Sequence, residues 1–290
     1  MGPGNLDEEG SAMSDADRPI DDHRWSTLRV ERRGSGTPED PDVLVVTIDR
    51  PDNDLNSVDE ALHGELALLF RTLRRETRVR AVVLTGSGRA FCAGGDFEWF
   101  EQLRSVEALE ALRVDARQII WDLLDVEVPI VCALNGHAMG LGASIALLCD
   151  LVVAAESARI GDPHVSVGLV AGDGGTVIWP AVLGPARAKE HLLLGESVTA
   201  ADAQRLGLVN RVVPEGEVLD AALELAGRLA AQPPLAVRYT KLAVNQRLRG
   251  ALLESFDTAT AYELTTFRSA DHAEAIEALK ARRTPRFEGR

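Results

Sequence analysis

Two glycine-containing turns offer backbone N–H groups that could stabilise negative charge. They occupy residues 89–96 (RAFCAGGD) and 135–142 (NGHAMGLG), and each is predicted to follow an apolar strand and to lead into a helix. Glycine lets the backbone turn sharply and approach a ligand closely. Two N–H groups at helix starts, directed at one point, form an oxyanion hole. Taken alone, each turn is more typical of an ordinary strand-to-helix loop.

An ionisable pair follows, in a loop predicted between residues 161 and 175. It consists of His164 and Asp173, nine positions apart. Histidine titrates near neutral pH, and an aspartate can orient it and stabilise its charged form, so the pair could act as a general base. The alternative from the residues alone is a loop histidine and a turn-forming aspartate.

The elements that must position these residues alternate along the chain. Apolar and β-branched runs predict strands at 28–30, 43–48, 81–85, 130–134, 151–154, 158–160 and 209–213. Helical periodicity predicts helices at 58–76 (with Ser57 as N-cap), 108–124, about 142–149, about 176–182, 186–194 and from 217 onward. Strand–helix–strand order with short links implies parallel pairing through right-handed crossovers. We therefore predict an α/β fold of three β-β-α passes over residues 26–215, followed by a helical region over 216–290.

Composition excludes several classes of function. The net charge of −14 argues against nucleic-acid binding and against docking to an anionic membrane. Three cysteines in no paired framework suit a reducing compartment, so we expect a cytoplasmic protein. The histidines are scattered, and no metal site is predicted. Residues 1–25 are acidic and lack an apolar signal segment, which predicts a disordered leader.

The apolar stretch at 129–155 is long enough to imitate a membrane span. Asn135, His137 and Asp150 interrupt it, and three glycines break its helical continuity. A buried strand, a turn and a buried helix explain the stretch better.

Together, and in this order, the two turns resemble those of the crotonase (enoyl-CoA hydratase/isomerase) superfamily. That family carries A-F-x-A-G-x-D and, some forty residues on, N-G-x-A-x-G-x-G, and residues 90–96 and 135–142 match both patterns. The resemblance extends over about residues 28–290, through the GDGG at 172–175, the GLVN at 207–210 and a C-terminal pattern that includes Phe267 and Arg283.

The resemblance implies a crotonase-like spiral core with a C-terminal helical oligomerisation region, assembled as a homotrimer or a dimer of trimers. It assigns the oxyanion-hole N–H groups to Gly95 and Leu141. It also implies an enzyme that acts on a small-molecule substrate, an acyl-CoA thioester, through an enolate held in that oxyanion hole, with no cofactor beyond CoA as part of the substrate. Hydrolysis of a carbon–carbon bond in a cyclic β-diketone or a CoA-linked ring is the alternative. A family member that only binds, without catalysis, is the remaining alternative.

Two positions depart from the hydratase pattern. Family hydratases use two glutamates where this chain has Ser144 and His164. Because a serine hydroxyl does not ionise at neutral pH, the two-carboxylate hydration mechanism cannot run unmodified. Phe97-Glu98 also replaces an Ile-Lys pair common in relatives that bind CoA, which puts CoA phosphate contacts there in question.

The run from 161 to 184 resembles the 6-oxocamphor hydrolase branch of the superfamily. That branch cleaves a C–C bond by a retro-Claisen reaction without CoA, and it has a catalytic histidine and aspartate at the places of His164 and Asp173. Leu141 stands where that branch has a further histidine, so the match is incomplete. Four other residues are candidates for lining the pocket: Ser144, Asp162, His137 and Trp179, although core packing is the default role for the last two.

Overall fold

The apolar strands pair into one large sheet and one small sheet in the computed structural model, which describes residues 18–34, 36–37 and 40–290. The large sheet has the order β1-β2-β3-β5-β7-β10. Its strands are β1 (Leu28–Arg33), β2 (Val43–Ile48), β3 (Ala81–Gly86), β5 (Ile130–Leu134), β7 (Leu151–Ala155) and β10 (Arg211–Val213). Only the β1–β2 pair is antiparallel. All residues of β2 and β5 are buried, as expected for parallel strands covered on both faces.

The small sheet collects short strands, in the order β4-β6-β8-β9. They are β4 (Ala90–Cys92), β6 (His137–Met139), β8 (Arg159–Gly161) and β9 (Val198–Thr199). The first three are parallel neighbours, and β9 closes the sheet antiparallel to β8. We predicted β4 and β6 only as parts of turns.

Ten α-helices lie within the described residues. They are α1 (Glu60–Leu73), α2 (Phe97–Phe100), α3 (Val106–Asp125), α4 (Leu141–Leu148), α5 (Gly175–Leu183), α6 (Pro185–Leu194), α7 (Ala200–Leu206), α8 (Val218–Ala230), α9 (Pro234–Thr266) and α10 (Ala270–Lys280). The predicted cap of α1 is wrong. Asp59, not Ser57, is the N-cap, because its carboxylate accepts the Leu62 N–H.

Three β-β-α passes follow one another. In each pass, one strand joins the large sheet, the next joins the small sheet, and a helix follows: β3-β4-α2/α3, β5-β6-α4 and β7-β8-α5. This confirms the predicted α/β spiral. Because successive passes stack in parallel, the loops after β4, β6 and β8 come together at one edge of the small sheet.

The chain before and after the spiral also contributes to the folded body. The predicted leader lies outside the described residues as far as residue 17, but Ile20 within it is fully buried, so the body begins before residue 26. After the spiral, α8 packs on the large sheet, and α9 packs on α3 and α5. Among the described residues, no helix combines the length and the apolar composition needed to cross a bilayer.

Candidate active site

The two turns lie side by side and line one cavity. Gly95 lies between β4 and α2, and Leu141 is the first residue of α4 after β6. Because β4 and β6 are parallel neighbours, the two turns leave the sheet at the same edge, and both residues line the same cavity. Within the described chain, neither the Gly95 nor the Leu141 amide nitrogen donates a hydrogen bond to protein. Both N–H groups are thus available to a ligand oxygen, as an oxyanion hole requires.

Two glycines make this close approach possible. A Cβ atom at Gly142 would overlap the carbonyl oxygen and side chain of Cys92, so α4 can contact the first turn only with glycine there. Gly140 has φ +53° and ψ −122°, a conformation that residues with a side chain rarely adopt. A Cβ at Gly140 would also lie 3.0 Å from His164 Cε1, so the second turn packs directly against the imidazole.

The imidazole of His164 is fixed by a buried carboxylate. His164 begins a 3-10 helix just after β8, and its Nδ1 lies 2.5 Å from Asp162 Oδ1. Asp162 is completely buried. From the sequence we expected Asp173 to orient the ring. The structure gives that contact to Asp162 because Asp162 precedes the histidine by two residues and its carboxylate folds back under the ring.

The other ring nitrogen faces two further carboxylates. His164 Nε2 lies 3.5 Å from Asp173 Oδ2 and 3.7 Å from Glu263 Oε1. Both carboxylates line the same cavity as Gly95 and Leu141. Asp173 comes from the loop before α5, and Glu263 comes from the last turns of α9. A single ring nitrogen, Nε2, is therefore close to two carboxyl groups that can exchange protons with it.

Burial and mutual repulsion shift the pKa values of these groups. Burial alone would lower the pKa of His164, but the charges of Asp162, Asp173 and Glu263 outweigh it and raise that pKa well above 6.5. Burial raises the pKa of Asp173 to about 6, although the imidazolium opposes the shift. Burial raises the pKa of Glu263 to about 8, again against the effect of His164. At pH 7, His164 and Glu263 therefore hold protons, and most Asp173 is ionised.

None of the four residues predicted to line the pocket is part of the cavity lining. Ser144 is completely buried, and its hydroxyl donates to Asp173 Oδ1 at 3.4 Å, so it supports the carboxylate from behind. His137 is exposed, and its Nδ1 accepts the Arg159 N–H. Trp179 is fully buried in the core beside His191. Neither Trp179 nor His137 lines the cavity. Asp162 contacts His164 Nδ1 on the side of the ring away from the cavity and does not line the cavity.

Two buried ionisable residues of the cavity, Glu263 and His63, were not predicted from the sequence. Glu263 lies on a long polar helix, where a glutamate is ordinary and only tertiary packing turns it inward. His63 lies on α1, is buried, and has its Nδ1 3.9 Å from Asp115 Oδ2 and its ring 5.3 Å from that of Trp99. No local pattern distinguishes either residue. Glu263 reaches the cavity only because α9 packs against α3 and α5 of the spiral.

Most of the remaining cavity wall is apolar. Aromatic and aliphatic side chains from α2, α3 and α9 cover the polar groups, namely Trp99, Phe100, Leu112, Leu264 and Phe267, and Arg113 and Thr260 add two polar side chains to the wall. The cavity volume is about 40 Å³, and the cavity is partly open to solvent. This low-dielectric surround strengthens every interaction between charged groups inside it.

A metal ion is one further occupant that the donor set allows. Asp162, His164 and Asp173 each present one ligand atom, and these atoms lie within 4.8 Å of one another. Asp162 Oδ1 already holds His164 Nδ1, which leaves fewer donor atoms directed at a common point. The absence of a metal stays a prediction. Turnover that survives dialysis against a chelator would support it.

Comparison with known proteins agrees with this architecture. The enoyl-CoA hydratase/isomerase family model matches residues 39–290. The 2,3-dehydroadipyl-CoA hydratase of Escherichia coli is 37% identical over 251 residues, which is 86% of this chain and 96% of that protein. An enoyl-CoA hydratase/isomerase from Mycobacterium paratuberculosis superposes with a TM-score of 0.82 at 36% identity, over 88% of this chain and 99% of that one.

A solved structure with a different activity is also similar. A beta-diketone hydrolase from the cyanobacterium Anabaena, bound to (S)-3-oxocyclohexyl acetic acid, superposes with a TM-score of 0.77 at 31% identity, over 87% of this chain and 98% of that one. The family match spans well over half the chain, and the curated relative is similar along nearly its whole length. This chain is therefore a member of the enoyl-CoA hydratase/isomerase family, the crotonase superfamily.

Proposed function

We propose that the protein hydrolyses a cyclic β-diketone, either free or linked to coenzyme A, by breaking the bond between one carbonyl carbon and the carbon that separates the two carbonyl groups. One observation carries the proposal: His164 Nε2 lies between the Asp173 and Glu263 carboxylates in the cavity lined by Gly95 and Leu141. This arrangement provides a proton acceptor, a proton donor and a site for an enolate oxygen. The similar beta-diketone hydrolase supports the same chemistry.

The first step is addition of water to one carbonyl. Asp173, with a pKa of about 6, is the ionised group beside the imidazole at neutral pH. It accepts a proton from water while the water oxygen bonds to the carbonyl carbon. From the sequence we expected His164 to be the base, but the neighbouring carboxylates, Asp162 first, raise its pKa well above 6.5 and favour the protonated imidazole. His164 then acts as the positive charge that keeps Asp173 ionised.

The second step breaks the carbon–carbon bond. The adduct collapses to a carboxylic acid, and the electron pair of the broken bond passes to the neighbouring carbonyl, which becomes an enolate. The enolate oxygen accepts hydrogen bonds from the Gly95 and Leu141 amides. In comparable sites, one such donor lowers the barrier by about 3–4 kcal/mol.

The third step places a proton on the enolate carbon. Glu263, with a pKa of about 8, is protonated at pH 7 and supplies it. The proton held by Asp173 then returns to Glu263 through the imidazole between them. One water is consumed, and the ring opens to a keto acid with the catalytic groups restored.

Hydration or isomerisation of an acyl-CoA thioester is the second candidate. The identity to 2,3-dehydroadipyl-CoA hydratase favours it. The same cavity would hold the thioester enolate, with the Asp173–His164–Glu263 cluster replacing the missing glutamate pair. The two candidates differ in whether water opens a ring or adds across a double bond.

Mass spectrometry in ¹⁸O-labelled water distinguishes these candidates. We expect cyclohexane-1,3-dione or a bicyclic β-diketone to give a keto acid with label in the new carboxylate, and His164→Ala to abolish this product. His137→Ala is the matched control and should retain activity, since His137 is exposed outside the cavity. Crotonyl-CoA or a ring-bearing enoyl-CoA as the only substrate turned over would contradict the hydrolase proposal and select the second candidate.

A further inference from the structure

The cavity beside the oxyanion hole is narrow. Its volume is about 40 Å³. Because one water needs roughly 10–15 Å³ of such space, this is room for only a few waters. A cyclic ketone is larger than this. When its oxygen reaches the Gly95 and Leu141 amides, its ring must therefore extend through the open side of the cavity or displace part of the wall.

The ring of Phe100 lies directly on the first turn of the hole. A Cβ atom placed on Gly95 would overlap three atoms of that ring, so the ring fills the space that any side chain at position 95 would occupy. Phe100 also lines the cavity. Because Gly95 and Phe100 line the same cavity, the ring is a near neighbour of any ligand whose oxygen reaches the Gly95 amide.

Phe100 belongs to one of the shortest elements in the wall. Helix α2 has only four residues, and residues 101–104 form turns before α3 begins. Most other lining residues belong to α1, α3, α4 or the 33-residue α9, each fixed by at least two turns of helix. Short elements with few backbone hydrogen bonds open at the lowest free-energy cost.

The contacts that hold the ring closed are weak and directional. Phe100 meets Phe267 edge-on, with ring centroids 5.3 Å apart and planes at 85°, and it lies 6.0 Å from the His272 ring. Such aromatic pairs contribute about 0.5–1.5 kcal/mol each beyond burial. Phe267 caps α9 and His272 lies on α10, so both contacts come from the C-terminal helices.

We propose that the Phe100 ring is the gate and the size filter of this site. It must leave Gly95 before a carbonyl compound can occupy the oxyanion hole, and the space that it vacates sets the largest ring that the site accepts. The choice of cyclic ketones as ligands rests on the proposed function. The gate itself rests on the position of Phe100.

Binding of two ketones of different size tests the gate without any turnover. Cyclohexanone and the bicyclic 1-decalone each have one carbonyl group, so neither can undergo the cleavage, and their dissociation constants are measurable by ligand-observed NMR or calorimetry. Phe100→Ala should tighten decalone binding relative to cyclohexanone by about tenfold, the scale of size discrimination in an apolar pocket. Phe100→Leu should change the ratio in the same direction by less.

Phe287→Ala is the matched control. It removes the same ring from a half-exposed position that does not line the cavity, and the ratio should not change. An unchanged ratio in a folded Phe100→Ala protein, judged by circular dichroism and thermal unfolding, would overturn the gate. If Phe100→Ala does not fold, an unchanged ratio in Phe100→Leu does the same. Failure of both ketones to bind any variant would also overturn it, because access would then be limited elsewhere.

The ketone experiment separates the gate from the reaction. A size effect at position 100 together with no cleavage of any β-diketone would retain the gate and reject the hydrolase. Cleavage of a β-diketone with no size effect at position 100 would retain the hydrolase and reject the gate.

Discussion

Four ionisable side chains share one buried volume, and their environment sets which of them holds a proton. Asp162 orients the imidazole through Nδ1, and Asp173 and Glu263 face its other nitrogen. Of these groups, only His164 and Asp173 were assigned catalytic roles from the sequence, by resemblance to a family pattern. Glu263 could not be found because it lies 90 positions after Asp173, on a helix whose polar residues give no sign of which ones turn inward.

The pH dependence of kcat/KM is the first prediction at this scale. Asp173 must be ionised, so the rate should rise with pH through about 6, where the burial-raised pKa of that carboxyl lies. Glu263 must be protonated, so the rate should fall as pH rises through about 8. The expected profile is a bell with its maximum near pH 7.

Glu263→Gln should remove the alkaline limb and lower kcat by at least about tenfold, because the acid is lost. Glu254→Gln, on the exposed side of the same helix, is the control and should leave the profile unchanged. A wild-type rate that keeps rising above pH 9 would exclude Glu263 as the proton donor.

The second prediction concerns Asp162, the buried partner of His164 Nδ1. Asp162→Asn should lower the pKa of His164, because the nearest carboxylate charge raises it. Titration of the imidazole followed by NMR measures this directly, and kcat should fall by at least about tenfold. His164→Ala and Asp173→Asn should cost as much, with non-additive effects when combined.

Ser144→Ala should cost much less, because its hydroxyl only supports Asp173. Full activity in Asp162→Asn together with loss of activity in Ser144→Ala would reverse this ranking and contradict the assignment.

Secondary-structure elements position the hole by packing one turn on another. The strands at 43–48 and 130–134 were predicted with the bounds observed for β2 and β5, because continuous apolar runs mark buried parallel strands. The short strands β4 and β6 were not predicted as strands. Three residues carry too little periodicity, and these segments pair only because the spiral brings their loops together.

Substitution of Gly142 tests that packing. Gly142→Ala places a methyl group into the Cys92 carbonyl, so we expect a loss of about 1–3 kcal/mol in unfolding free energy and a larger fall in kcat than in substrate affinity. The control is Gly227→Ala on the exposed face of α8, where no atom lies near the added methyl group. There, alanine should stabilise the helix by about 0.5–1 kcal/mol. Equal behaviour of the two variants would contradict the close contact.

At the scale of the whole molecule, the longest helix, α9, carries exposed apolar side chains. The apolar positions within 219–229 and 275–279 could support a trimer, but much of that surface is used within the chain, with Ala222 and Leu225 packed into the core and Ala275 and Ile276 also buried. Exposed apolar residues remain on several elements, such as Leu193 and Leu194 on α6, and three of them lie on α9, at Leu235, Tyr239 and Val244. The three on α9 line one shallow groove.

A trimer or a dimer of trimers remains our prediction for the assembly. Light scattering coupled to size exclusion should give three or six times the chain mass of 31.2 kDa. Tyr239→Glu, which places a charge in the groove, should shift the mass toward the monomer. A monomer for the wild-type protein at micromolar concentration would show that the groove has another use.

Exchange of the carbon-bound hydrogens beside a ketone, followed by proton NMR in deuterated water, tests the central claim most directly. That claim is that an enolate oxygen rests on the Gly95 and Leu141 amides while the Glu263 cluster moves a proton to and from the adjacent carbon. The wild-type protein should accelerate exchange in (S)-3-oxocyclohexyl acetic acid, and Glu263→Gln should slow it by at least about tenfold, while Glu254→Gln should not. Exchange no faster than in buffer with the ketone bound, or exchange equally fast in Glu263→Gln, would contradict the account.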